Sequence, residues 1–251
     1  MPVRLIISDV DGCISSEASV PFDIERFATL CRLSRQASAG RGSIAPLTLC
    51  TGRPQPYVEV LTKLMDIRFP TICENGAVLY DLSTNSARYA PGLSQEKLAG
   101  IRRVRSFLET EVLPKYDKAL LQFGKEAQLS VFSETPEIFS EIRPMIEQFI
   151  REKSGPDVVI SASHCYLNIS LSGLDKGSAI RHLMQTLGLK RQEVAGIGDT
   201  EGDLPLQREV GFFACPNNST PEVKEVANYI SPHPTIEGLL DILQRPEMKR
   251  V

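Results

Sequence analysis

The sequence predicts an α/β protein, a doubly wound parallel sheet interrupted by an inserted α+β module. Short apolar runs alternate with helical periodicity at both ends of the 251-residue chain, the pattern of parallel strands joined by crossover helices. Between those ends the order changes to helix, hairpin, helix, hairpin, which points to an antiparallel sheet. Taken in order, a strand over 3–10 precedes a helix over about 22–38, a strand over 45–51, a helix over about 54–66 and a strand over 71–80. The same grammar resumes with a strand over 193–198, a helix over about 201–209, a strand over 211–215, a helix over about 219–227, a strand over 228–230 and a last helix near 234–244. Residues 1–82 and 174–251 are therefore expected to form one core domain, with 83–173 as an insert. The insert reads as a helix over about 94–112, strands over 119–123 and 128–133, a helix after Thr135-Pro136, and strands over 158–163 and 166–172.

Composition narrows the class. The chain carries 28 Lys and Arg against 31 Asp and Glu, a formal net charge of −3, with no basic run. It offers no field for a nucleic acid. The apolar run at residues 5–7 is too short for a signal or a membrane span, so the expectation is a cytoplasmic protein with no membrane partner. Six cysteines (Cys13, Cys31, Cys50, Cys73, Cys165, Cys215) show neither a CxxC pair nor a histidine at zinc-finger spacing. They read as reduced thiols. Cys13, Cys50, Cys73 and Cys215 fall near strand ends, where core filling is the plain account and metal or redox chemistry the alternative.

Four motifs stand at strand ends or helix starts. In Leu5-Ile6-Ile7-Ser8-Asp9-Val10-Asp11-Gly12, two carboxylates two positions apart sit where an apolar strand breaks on glycine. In a regular strand they share a face, at the edge where open α/β sheets bind ligands. The pair suits phosphoryl transfer through an aspartyl nucleophile, provided a cation screens carboxylate from phosphate; Mg²⁺ with oxygen ligands is the usual one. Asp-Gly is also an ordinary turn signal. A second strand runs into Thr51, Gly52 and Arg53, whose hydroxyl and backbone N–H groups suit a phosphate oxygen. Thr51 equally suits the N-cap of the helix that follows.

Lys176 opens a helix marked by apolar residues at 179, 180, 183, 184 and 187 and ended by Gly188. A cation is disfavoured at the positive end of a helix dipole unless a carboxylate or phosphate lies close. In Gly198-Asp199-Thr200-Glu201-Gly202-Asp203, a strand ends on glycine and two aspartates bracket the next helix start. That arrangement suits a metal ligand, and also a simple helix cap.

The order DxDG, (S/T)GR, K-G, GDxxxD resembles that of the haloacid dehalogenase superfamily of phosphohydrolases over essentially the whole chain. The insert, placed between Ile72-Cys73-Glu74-Asn75-Gly76-Ala77 and the lysine motif, resembles a small type II cap of the B subtype. Together with Ala214-Cys215-Pro216-Asn217-Asn218 and Glu222-Val223-Lys224, it is similar to the Cof-type and sucrose-phosphate-phosphatase-like group. Relatives in that group include the mannosyl-3-phosphoglycerate and archaeal phosphoglycolate phosphatases.

The resemblance implies a Rossmannoid core and a cap that closes over it, with Asp9 as nucleophile and Asp11 as general acid and then base. It implies Thr51, Gly52, Arg53, Asn75 and Lys176 at the phosphate, with Lys176 also screening Asp9. Mg²⁺ is implied at the Asp9 side chain, the Asp11 main-chain carbonyl and Asp199, with Asp203 assisting directly or one step removed.

The implied activity is a Mg²⁺-dependent phosphomonoesterase acting on a small phosphorylated metabolite, a sugar phosphate or an acid of phosphoglycerate or phosphoglycolate type. A phosphomutase or phosphotransferase using the same aspartyl phosphate, and a receiver-like phospho-acceptor, are the alternatives. Two positions depart from the pattern: Gly202 stands where asparagine is usual, and Cys13 where threonine is usual. Among the histidines, His164 is the candidate for a substrate contact, with an ordinary residue between strands of the insert as its plainer reading. Lys118, Lys125 and Arg143 read as solvated surface, with an anionic leaving group as their other reading.

Overall fold

The computed structural model describes residues 3–16, 20–153, 155–163 and 165–250. In chain order the elements are β1 (Leu5–Ser8), α1 (Ile24–Ser38), β2 (Leu47–Leu49), α2 (Gln55–Met65), β3 (Thr71–Cys73), β4 (Val78–Asp81) and β5 (Ser86–Tyr89). Then come α3 (Gln95–Phe107), β6 (Ala119–Leu121), β7 (Gln128–Ser133), α4 (Phe139–Glu152), β8 (Val158–Ser163) and β9 (Tyr166–Leu171). The chain closes with α5 (Lys176–Leu187), β10 (Val194–Ile197), α6 (Leu204–Glu209), β11 (Phe212–Cys215), α7 (Pro221–Val226), β12 (Tyr229–Ile230) and α8 (Thr235–Ile242). Two compact units result, Met1–Arg88 with Lys176–Val251, and Tyr89–Asp175.

The first unit is built on a five-stranded sheet in the order β12-β11-β10-β1-β2, parallel throughout. Every residue of β1 is buried, because alternate side chains enter two different cores. Ile6 packs with Leu47, Leu49, Leu30, Val58 and Leu239 on the face covered by α1, α2 and α8. Leu5 and Ile7 join Ile180, Leu183, Leu206 and Phe213 on the face covered by α5 and α6. Strand order then decides where the chemistry goes. Ser8 pairs with Ile197 on one side and Leu49 on the other, so the segments after β1, β10 and β2 leave the sheet side by side. This is the switch point of a doubly wound sheet.

The run over 71–80 is not one strand. It is a hairpin, β3 antiparallel to β4 with Cys73 opposite Val78. Glu74 (φ 49°), Asn75 (φ 51°) and Gly76 (φ 106°) all take left-handed backbone and reverse the chain. The neighbouring β5 has four exposed residues, which leaves no apolar pattern to announce it.

The second unit runs helix, hairpin, helix, hairpin, with strands arranged β6-β7-β9-β8 and every pair antiparallel. Leu129, Val131, Leu167 and Ile169 face Ile101, Val104, Ile142 and Ile146 of α3 and α4. Gln128, Ser130 and Asn168 alternate with them and point the other way. Lys125 Nζ donates to Ser130 Oγ at 2.6 Å, and Ser130 Oγ donates to Asn168 Oδ1 at 2.6 Å. Lys125 is only 4% exposed, so the solvated-surface reading is corrected for that residue: hydroxyl and amide oxygens replace its water. Lys118 is exposed, and Arg143 donates to Glu147 and to the Ile160 carbonyl. His164 lies outside the described residues. Among the described residues no helix is long and apolar enough to cross a membrane.

Candidate active site

Asp9 follows β1 directly, and its N–H donates to the Ile197 carbonyl at 2.9 Å. Its Oδ1 accepts from the Val10 N–H at 2.7 Å, and its Oδ2 lies 2.8 Å from Lys176 Nζ. Lys176 is the first residue of α5 and reaches Asp203 Oδ1 at 2.7 Å. The unfavourable cation at a helix start is thus offset by two carboxylates. Asp203, wholly buried, also accepts through Oδ2 from the N–H groups of Asp199 at 2.9 Å and Thr200 at 3.3 Å.

Two glycines make room for this cluster. A Cβ on Gly198 would lie 2.4 Å from Asp203 Cγ, and one on Gly12, whose φ is +75°, would lie 1.8 Å from Asp199 Oδ2. Gly202 is different. A Cβ there would meet only Thr200 Oγ1, at 3.4 Å, so the missing asparagine reflects no lack of space.

Burial sets the electrostatics. It pushes the Asp9 carboxyl up from 3.8 to about 7, with Lys176 opposing the shift and Asp203 and Asp11 adding to it. For Lys176, burial works against the charge, yet the carboxylates of Asp203 and Asp9 hold the ammonium well above its ordinary range. Cys13 and Cys50 are buried, and desolvation pushes both thiols well up; Asp199 and Asp9 add to the effect at Cys13. Both pack as neutral side chains in the two cores, which is the plain account of them.

The Thr51-Gly52-Arg53 turn is pinned from outside. Thr51 N–H donates to the Ile72 carbonyl, the Thr51 carbonyl accepts from Asn75 N–H, and the Arg53 carbonyl accepts from Glu74 N–H. The Thr51 hydroxyl accepts from Arg53 N–H at 3.1 Å. It does not cap α2, which starts after Pro54 without a side-chain cap. Asn75 rests against Gly52, its amide 3.1–3.2 Å from where a Cβ would stand.

Arg53 makes a contact that motif order does not disclose. Its Nε and Nη2 donate to Asp11 Oδ2 at 2.8 Å and Oδ1 at 2.5 Å. Asn218 is a second such residue: Nδ2 donates to the Gly12 carbonyl at 3.0 Å, while Oδ1 accepts from Thr235 N–H at 2.7 Å. It braces the loop after β1 against the start of α8. Of the residues expected at the site, Asp9, Lys176, Asp199 and Asp203 form one cluster, Asp11 and Arg53 an ion pair, and Thr51, Gly52 and Asn75 one turn.

Carboxylate oxygens of Asp9, Asp199 and Asp203 lie within 4.8 Å of one another. With Lys176, the three carboxylates carry a formal charge of −2. Hard oxygen donors with that charge fit Mg²⁺. Each oxygen of Asp203, like each oxygen of Asp9, already accepts from an ammonium or an amide.

Residues 105–243 match the family model of the haloacid dehalogenase-like hydrolases. The chain is 25% identical over 242 residues to a phosphoglycolate phosphatase of Archaeoglobus fulgidus, covering 96% of each chain. It is 24% identical over 257 residues to the phosphoglycolate phosphatase of Methanosarcina acetivorans, covering 97% of this chain and 96% of the relative. Among solved structures, Thermoplasma acidophilum 0175 is similar with a TM-score of 0.74 at 23% identity, covering 97% and 98% of the two chains. A haloacid dehalogenase-like hydrolase from Bacteroides thetaiotaomicron is similar with a TM-score of 0.71 at 18% identity, covering 97% and 99%.

Proposed function

Because the chain belongs to the haloacid dehalogenase-like hydrolases, we propose that it hydrolyses phosphate monoesters through a covalent phosphate on Asp9. The observation that carries this reading is the buried Lys176 ammonium, 2.8 Å from Asp9 and 2.7 Å from Asp203. Burying charges in this way costs several kcal/mol and is weak as a stabilising device. It serves a nucleophile that must face a phosphate dianion.

In the first half-reaction an Asp9 oxygen attacks phosphorus, the ester P–O bond breaks, and the departing oxygen takes a proton from Asp11. In the second, water attacks the phosphorus of the aspartyl phosphate and yields a proton to Asp11. The P–O bond to Asp9 then breaks, returning its carboxylate and releasing inorganic phosphate. Lys176 screens Asp9 from the charge of the ester, and Thr51, Gly52 and Asn75 orient the phosphoryl oxygens. When bound, Mg²⁺ supplies the remaining positive charge; Asp9, Asp199 and the Asp11 main-chain carbonyl would hold it, with Asp203 fixing Lys176 and the Asp199 loop.

We assign a small phosphorylated metabolite as substrate, with phosphoglycolate the first to try. The names of relatives similar along nearly the whole chain support that choice. The test is phosphate release from phosphoglycolate, phosphoglycerate and sugar phosphates, with Mg²⁺ and with EDTA. Release that EDTA abolishes is expected from at least one of them. Failure of every ester in the presence of Mg²⁺ contradicts the assignment.

A further inference from the structure

We propose that Arg53 is a positioning residue that acts through Asp11, holding the carboxylate in the orientation from which it exchanges a proton with the leaving oxygen. The inference rests on the role given to Asp11 above and reassigns Arg53 from the phosphate to the acid–base residue. Its ground is the two-point contact: Nε to Oδ2 at 2.8 Å and Nη2 to Oδ1 at 2.5 Å. A planar guanidinium against a planar carboxylate fixes distance and rotation together.

The fork is itself held. The guanidinium carbon lies 5.2 Å from the centre of the Tyr57 ring one turn into α2. The Arg53 backbone donates to Thr51 Oγ1 and accepts from Glu74. Asp11 follows Asp9 by two residues, on a loop whose Gly12 N–H donates to the Ser15 carbonyl at 2.6 Å. Both ends of the ion pair therefore sit on backbone that is tied down, which is what a constraint on side-chain rotation requires.

An ionised carboxylate offers about four lone-pair sites. The fork uses two, so lone pairs remain for the proton that Asp11 must carry before it serves as acid and that it takes back from water in the second half-reaction. Lysine cannot reproduce the arrangement, because an ammonium is a point charge without a fork.

The test uses the full chain with Mg²⁺ and compares kcat/KM for two esters. Phosphoglycolate releases an alkoxide that needs a proton, whereas p-nitrophenyl phosphate releases an anion that does not. Because kcat/KM reports events through release of the first product, it isolates the acid step from the later attack by water. Arg53→Lys is expected to lower kcat/KM for phosphoglycolate by roughly 10- to 100-fold, part of what a general acid contributes, and to lower that for p-nitrophenyl phosphate by a factor at least about tenfold smaller. Tyr57→Leu, which takes away the ring beside the guanidinium and keeps an apolar side chain against the core, should shift the same ratio in the same direction by less.

Equal losses on both esters in Arg53→Lys, or a raised inhibition constant for inorganic phosphate, would place Arg53 on the phosphoryl group and overturn the proposal. Asp11→Asn serves as the reference. If it too strikes both esters equally, the acid role of Asp11 fails, whatever Arg53 does. A wild-type chain that turns over neither p-nitrophenyl phosphate nor any of phosphoglycolate, phosphoglycerate and the sugar phosphates overturns the phosphatase reading and this inference with it; if only one of the latter is hydrolysed, that ester takes the place of phosphoglycolate in the comparison.

Discussion

Replacing Gly12 with alanine isolates the steric condition on which the proposed Mg²⁺ binding depends. The new Cβ would stand 1.8 Å from Asp199 Oδ2 and 2.3 Å from Cγ, where ordinary contact begins at 3.4 Å. The carboxylate must therefore move by about 1.6 Å, the difference between those contacts. Asp199 has little freedom to follow with its backbone, since its N–H donates to Asp203 and its carbonyl accepts from Thr220 N–H at 2.9 Å. Mg²⁺ demands near-ideal octahedral oxygens at about 2.0–2.1 Å, so a ligand displaced that far no longer coordinates.

The expected result is a rise of about 10- to 100-fold in the Mg²⁺ concentration that half-saturates phosphate release. It should come with a loss of about 1–2 kcal/mol in unfolding free energy, from an L-residue held at φ +75°. Titration of activity with Mg²⁺ and urea unfolding without the metal give the two readings. Gly202→Ala is the control. Its Cβ meets only Thr200 Oγ1 at 3.4 Å, and neither reading should move by more than about twofold or 0.5 kcal/mol. A Gly12→Ala protein with wild-type Mg²⁺ half-saturation refutes the reasoning.

Asp203→Asn keeps the shape of a wholly buried side chain but sets a donor against either Lys176 or the N–H groups of Asp199 and Thr200. Urea unfolding of the metal-free chain should show a loss of about 3–5 kcal/mol, and a loss under about 1 kcal/mol contradicts the account. Without metal, the Asp9 carboxyl is raised from 3.8 to about 7, so between those values the folded chain binds more protons than the unfolded one. Stability contributed by that group is complete below the unfolded value and is lost as pH rises through about 7. The carboxyls lowered by their partners, Asp23, Glu59 and Glu193, act below that window. The difference in unfolding midpoint between wild type and Asp9→Asn should therefore change between roughly pH 5 and pH 8 in the direction of a less stable wild type; a wild type that gains on Asp9→Asn over that range contradicts it.

The parallel sheet was legible because its strands are buried on both faces and read as unbroken apolar runs, as in residues 5–7. The second unit was legible because amphipathic helices and alternating strands follow one another without long gaps. Hairpin reversal at Glu74-Asn75 was not legible. Asn75-Gly76 is itself a hairpin signal, but the apolar residues on both sides read as one run, and Glu74 is not a residue that left-handed backbone favours. Exposure of all four β5 residues removed the periodicity that marks a strand.

At the site, glycines and carboxylates gave the motifs, because a turn at a strand end restricts residue type locally. Partners across the chain gave no such signal. Asp11 and Arg53 are 42 residues apart, and Asn218 is 206 from Gly12, so only strand order brings them together. Lys125 looked like surface because a lone lysine in a hairpin usually is; the oxygens that surround it come from β7 and, through Ser130, from β9.

The central claim is that Asp9 carries the phosphoryl group. Acid-quenching the enzyme during turnover of phosphoglycolate with Mg²⁺, followed by mass spectrometry of its peptides, tests it most directly. The account predicts a phosphoryl adduct on the peptide containing Asp9, absent in Asp9→Asn along with turnover. Sustained hydrolysis by Asp9→Asn, or an adduct on a different residue, would contradict it.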